Sequence, residues 1–207
     1  MQIVPTSEAL AMNASNFSAD GGYVFYTRVD EENPQGALYQ VPVLGGTSKK
    51  ILANVVQPVS LSPDGKQIAF GRYHLKGAED ELLVADADGS NEWRVITVKE
   101  PNWLAGSSPA WSPDGKWLAV AYGSEDRNEL TGKNLGMTVV LVSLANGELK
   151  QIIPPRWLYL SNVAWLSDSS IVGFTGLRMV EHLFTSTRCL ASPIFGVSRL
   201  TVKNRYN

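Results

Sequence analysis

Short apolar runs separated by polar turns fill the first 175 or so residues of this chain, and their spacing is that of strands. YVFYTR (23–28), QIAFGR (67–72), WLAVAY (117–122) and SIVGFT (170–175) are rich in β-branched and aromatic residues and alternate in part, which predicts a strand in each. Each run follows an Asp turn, and a short apolar stretch leads into that turn. After a variable loop, ALYQVPV (37–43), ELLVADA (81–87) and TVVLVSL (138–144) predict a third strand. A second tight turn then falls at Gly45-Gly46, Asp88-Gly89 and Asn146-Gly147, dipeptides that supply the positive φ of hairpin turns. SKKILA (48–53), EWRVIT (92–97) and ELKQII (148–153) close the units. No window of the first 176 residues carries a 3.6-residue period, which predicts almost no helix.

The units repeat. FSADG (17–21), LSPDG (61–65), WSPDG (111–115) and WLSDS (165–169) place Asp20, Asp64, Asp114 and Asp168 at steps of 44, 50 and 54 residues. Four antiparallel strands per repeat of this length predict an all-β β-propeller with about four blades. Stacked blades bury both faces of each sheet, which accounts for strands apolar on both sides. The predicted division is an outer strand of a preceding blade at 1–5, blades at 6–53, 54–98 and 99–155, and a degraded blade at 156–207. The fourth copy lacks the Pro and Gly of its turn, and 177–196 lacks both the alternation and the Asp-Gly signal. QIVP (2–5) resembles the closing KQIIPP (150–155). It belongs either to a fragment of a larger propeller, the preferred reading, or to a small ring closed by its own first strand.

The repeated aspartates could be mistaken for a catalytic set. In the turn, Pro63 and Pro113 pre-set φ at the first central position, Asp bonds its own backbone, and Gly accepts the left-handed conformation. Asp20, Gly21, Asp64, Gly65, Asp114 and Gly115 are therefore assigned to turn structure.

Composition narrows the function classes. Charged residues are 18% of the 207 and the net charge is −2, with no basic cluster, which argues against a nucleic-acid partner. Cys189 stands alone, so neither an internal disulfide nor a thiolate metal cluster is expected. No segment reaches the roughly 18 apolar residues of a membrane helix, and the first residues lack a signal-peptide pattern. The compartment, extracytoplasmic or cytoplasmic, is left to whatever flanks the segment. There is no Gly-x-Ser-x-Gly elbow, HExxH, phosphate-cradling loop or kinase signature set. The expectation is a non-enzyme with no cofactor and no metal.

LSPDGKQIAFGR (61–72) and WSPDGKWLAVAY (111–122), each followed by a strand ending near ADADG or LANG, resemble the TolB-like, WD-type propeller repeat over about residues 1–175. The resemblance implies blades of six- to eight-unit propellers. Such blades occur in the periplasmic TolB protein, in prolyl oligopeptidase- and tricorn-type peptidases, and attached to bacterial serine/threonine kinases and winged-helix regulators. The phrase QVPVLGGTSKKILANVVQPVSLSPDGKQIAFGR (40–72) is most similar to the last two. By fold analogy this implies a module that binds a protein or peptide, or senses a ligand for an attached effector. The alternative is the substrate-gating propeller of a peptidase.

A four-stranded meander puts its first and third turns on one side of the disc and its second turns and inter-blade links on the other. The second side collects the varied segments 29–36, 73–80, 123–136, 53–58, 99–109 and 154–161, where function usually sits on a rigid scaffold. The candidate binding residues are Arg72, Tyr73, His74, Trp103, Arg156, Trp157 and Tyr159, since aromatics and Arg anchor protein interfaces. These same aromatics could instead pack blade seams. Acidic residues Asp30, Glu31, Glu32, Glu79, Asp80, Glu125 and Asp126 fall on the same side.

Overall fold

A computed structural model describes residues 11–73, 79–105, 108–126, 134–152, 160, 162–165 and 171–174. Among them are fifteen strands and no helix. β1 (Ala11–Phe17), β2 (Tyr23–Val29), β3 (Ala37–Pro42) and β4 (Lys49–Ala53) form one antiparallel sheet in sequence order. β5 (Ser60–Leu61), β6 (Gln67–Tyr73), β7 (Glu79–Asp86) and β8 (Trp93–Lys99) form the second. The third contains β9 (Asn102–Leu104), β10 (Ala110–Trp111), β11 (Trp117–Asp126), β12 (Asn134–Ser143) and β13 (Leu149–Gln151), with β9 paired to β11 beside the main path. β14 (Asn162–Trp165) and β15 (Ile171–Phe174) pair as the described part of a fourth sheet. We refer to these sheets as blades 1 to 4. They are the antiparallel blades of a partial β-propeller.

Alternation along each strand builds the seams. In β6, Ile68 and Phe70 join Phe25, Leu38, Leu52 and Leu83 between blades 1 and 2, while Ala69 turns the other way. Ala69, Leu82, Val84, Leu118, Val120, Val140 and Val142 fill the next seam. Ala119, Ala121, Val139, Leu160, Val163 and Ile171 fill the one after. Adjacent residues of one strand are thus buried on opposite faces, and each blade is stable only between neighbours. Tyr26, Ala37, Tyr39 and Val41 form a further buried cluster on the face of blade 1 turned away from blade 2, with the two tyrosine rings stacked 5.5 Å apart.

Directional bonds reinforce the seams near the inner strands. The Trp111 indole donates to the Ser60 carbonyl (3.2 Å) and the Trp165 indole to the Ala110 carbonyl (3.0 Å). Between blades 1 and 2, side chains do this work. Asn16 Nδ2 donates to the Val59 carbonyl at 3.1 Å and Thr27 Oγ1 to the Val56 carbonyl at 2.9 Å.

One segment departs from the sequence reading. GSEDRNELTGKNLG (123–136) reads as a loop because Asp, Asn and Gly are poor strand formers. The ladder instead continues through Ser124↔Gly136, Glu125↔Leu135 and Asp126↔Asn134, leaving 127–133 as the connection. β9 supplies the reason. It pairs Leu104, Trp103 and Asn102 with Tyr122, Gly123 and Ser124, so the extension is held by a third strand. The stretch 177–196 and the opening QIVP lie outside the described residues.

Candidate functional site: the hairpin face

The two sides of the disc are built differently. On the first, the Ser-x-Asp turns share one geometry. The Gly21, Gly65 and Gly115 amides donate to the Ser18, Ser62 and Ser112 carbonyls at 2.9, 2.8 and 2.9 Å. The serine hydroxyls donate to Asp20, Asp64 and Asp114 at 2.5, 2.6 and 2.6 Å. The same hydroxyls accept from the amides of Tyr23, Gln67 and Trp117 at 2.9, 2.9 and 3.0 Å. Donation from serine is the main reason the Asp20, Asp64 and Asp114 carboxyls are held below their ordinary value. Val43, Ala87 and Leu144 donate to the Gly22, Lys66 and Lys116 carbonyls, so the third turn of blades 1 to 3 lies beside the first. The serines are structural residues that the sequence reading passed over, although Ser-x-Asp recurs at a fixed offset.

The opposite side carries the raised hairpin β11–β12, braced by β9. Its Gly123 lies under the Trp103 indole so closely that any Cβ there would run into the ring. Trp103 is half-buried and packs against the seam that holds Ala119, Ala121 and Val139. No pattern in the sequence pairs Trp103 with Gly123. The match arises from the register of β9 on β11.

Of the other candidate residues, Arg72 is tied into the scaffold. It donates to Glu92 at 2.8 and 3.0 Å, reaches the Ala53 and Asn54 carbonyls at 3.4 Å, and sits over the Phe70 ring. It therefore joins blade 2 to the exit from blade 1. The backbone of Tyr73 ends β6, next to Arg72. His74, Arg156, Trp157 and Tyr159 lie outside the described residues.

Three of the acidic residues on this side, Asp30, Glu79 and Asp80, are engaged with partners. The Asp30 side chain is 6% exposed and pairs with Arg28 Nε at 2.6 Å. Its Oδ1 accepts from the Asn33 amide and side chain at 2.7 and 2.9 Å. The Asn33 side chain is the first cause of its lowered pKa. Asp80 accepts from the Leu104 amide at 2.9 Å, fixing β9 to blade 2. Glu79 pairs with Lys99 at 2.6 Å. Among the described residues no group of three or more His, Cys, Asp or Glu is placed to hold a metal ion, and no helix is long and apolar enough to cross a membrane.

Solved structures share this fold. TolB from Acinetobacter baumannii matches with a TM-score of 0.60 at 17% identity, over 83% of this chain and 39% of that one. The fold is that of a TolB-like β-propeller. Oligogalacturonate lyase from Vibrio parahaemolyticus matches at 0.61 and 16% identity, over 84% of this chain and 48% of that one. The β-propeller domain of the Trilobed protease from Pyrococcus furiosus matches at 0.54 and 19%, over 84% of this chain and 51% of that one. The chain thus spans about half or less of each of these neighbours. No protein-family model matches it. None of the three neighbours is a kinase- or regulator-attached propeller, so the similarity noted for residues 40–72 gains no support from them.

Proposed function

We propose that this TolB-like propeller is a non-catalytic module that binds a protein or peptide segment on its hairpin face, or senses a ligand there for an attached effector. The raised hairpin β11–β12 carries this reading. Blade 1 pairs its corresponding strands only as far as Arg28 and Ala37, whereas β11 and β12 continue to Asp126 and Asn134. The extension adds ladder bonds that no seam needs, and a dedicated strand, β9, stiffens it. A stiff projection beside varied loops is the usual basis of a recognition surface, because little ordering entropy is lost on binding. The units at 6–53, 54–98, 99–155 and 156–207 are the proposed blades of this module, within a larger multidomain protein.

The test is selection of peptides from a displayed random library on the full chain, followed by calorimetric titration of the selected peptide. A variant with residues 125–135 replaced by a two-residue Asn-Gly turn serves as control. A micromolar Kd of about −8 kcal/mol that disappears in the shortened variant, with melting temperature kept, supports the reading. Equal binding by both proteins, or no enrichment of any peptide, sinks it.

A second reading, the substrate-gating propeller of a peptidase, draws on the match to the protease propeller domain. It requires a hydrolase domain in the same protein.

A further inference from the structure

Five tight turns among the described residues carry an Asp-Gly or Asn-Gly pair in one geometry. In each, the side-chain Oδ1 accepts the amide two residues on: Asp20 from Gly22, Asp64 from Lys66, Asp88 from Ser90, Asp114 from Lys116 and Asn146 from Glu148, at 2.9 to 3.1 Å. The side chain thus curls back over the intervening glycine. The four aspartates also accept a serine hydroxyl, from Ser18, Ser62, Ser90 and Ser112. Asn146 differs. Leu144 and Glu148 stand where the serines would be, and Asn146 is exposed. Its Nδ2 has no partner among the described residues. It is also the one Asn-Gly of the sequence.

We infer that Asn146 is a site of spontaneous deamidation, reached when the third turn of blade 3 lifts from blade 2. The Gly147 nitrogen attacks Asn146 Cγ and an N–C bond forms. The Cγ–Nδ2 bond breaks, and the Gly147 proton leaves with Nδ2 as ammonia. Water then opens the cyclic imide. Addition at Cγ gives aspartate, and addition at the main-chain carbonyl gives isoaspartate, whose backbone runs through Cβ and Cγ. Gly147 has no Cβ to obstruct the approach. The other four turns are protected by chemistry, since a carboxylate is a poor target for the same attack.

The closed turn opposes the reaction. The Gly147 amide donates to the Ser143 carbonyl at 2.9 Å, and the Ser143 amide to the Glu148 carbonyl at 2.9 Å. A Cβ on Gly147 would fall 2.8 Å from the Val95 carbonyl and 3.3 Å from Ile96 Cγ2 of the preceding blade. The nitrogen must leave Ser143 before it attacks, so the route passes through local opening of this turn. The two products then part. The aspartate form keeps the arrangement that Asp88 already has beside Gly89. The isoaspartate form carries one more backbone carbon, which pushes Gly147 into a contact with no room for a methyl group.

The test follows the full chain and a synthetic peptide of residues 141–151 side by side in mildly alkaline buffer, by mass spectrometry of a protease digest. The expected result is a gain of about one mass unit in the fragment holding residue 146, absent in Asn146→Gln. It should be about 5- to 30-fold slower in the chain than in the peptide, as the loss of one or two backbone hydrogen bonds requires. Isoaspartate is identified by labelling with an isoaspartyl methyltransferase, and the two forms are separated and melted. The aspartate form should melt with Asn146→Asp and the untreated chain, and the isoaspartate form below both. A fragment unchanged after the peptide has converted overturns the inference, as does a gain that falls on another asparagine instead. Conversion as fast in the chain as in the peptide, or an isoaspartate form as stable as the untreated chain, overturns the link to blade 2.

Discussion

At the residue scale, the serine of each Ser-x-Asp turn matters as much as the aspartate. Ser112 is 3% exposed. Its hydroxyl donates to Asp114 while accepting from the Trp117 amide, so Ser112→Ala removes two bonds and leaves that amide unsatisfied. The expected cost is about 1 kcal/mol, or roughly 2–4 °C in melting temperature for a domain of this size. The acid limb of stability adds a second readout. Asp20, Asp64, Asp88 and Asp114 all have carboxyl pKa values lowered in the fold, each with a serine hydroxyl as the first cause. A lowered folded pKa contributes stability above the unfolded value of about 3.9 and loses it as pH falls through the folded value. Melting temperature is therefore expected to be flat down to about pH 5 and to drop below about pH 4. The drop should be shallower in the double variant Ser62→Ala, Ser112→Ala, and thermal melts from pH 7 to 2.5 check this. An equal acid slope in both proteins would show that the hydroxyls do not hold the carboxyls down.

At the element scale, the raised hairpin depends on one glycine. Gly123→Val would drive a branched side chain into the Trp103 indole, separating β9 from β11 at a cost of about 1–3 kcal/mol. Urea unfolding gives the stability, and a red shift of tryptophan emission reports release of the ring. Pairing it with Trp103→Ala should recover part of the loss, because residues in contact do not add independently. Full additivity would place Trp103 elsewhere. This hairpin also marks where sequence stopped being sufficient. The repeat offset, the strand cores and both tight turns were legible because each is a local pattern: alternation, Asp-Gly and a period near 50. The extension of β11 and β12 was not, because Ser124, Glu125, Asp126 and Asn134 are poor strand formers held in a ladder by a tertiary partner, β9. Arg72 was legible as an unusual residue but not as a scaffold tie, since Glu92 is 20 positions away.

At the scale of the whole molecule, the turn glycines separate local conformation from the fit between blades. Gly45 and Gly89 occupy the same turn position in successive blades, with φ of 89° and 88°. An alanine at either suffers the same left-handed strain, about 1–2 kcal/mol. Only at Gly89 would the new Cβ also strike the Ile51 carbonyl of the preceding blade. That backbone cannot move without shifting β4 and the Leu52 side chain packed in the first seam. Gly89→Ala is therefore expected to cost about 1–3 kcal/mol more than Gly45→Ala. Denaturant unfolding gives the difference between the two variants, and hydrogen exchange should show faster opening of β4 in Gly89→Ala alone. The comparison cancels the turn strain, so what remains is the energy of one blade closing on the next. A difference near zero would mean that stacking of the blades does not depend on these turns and rests on the apolar seams alone.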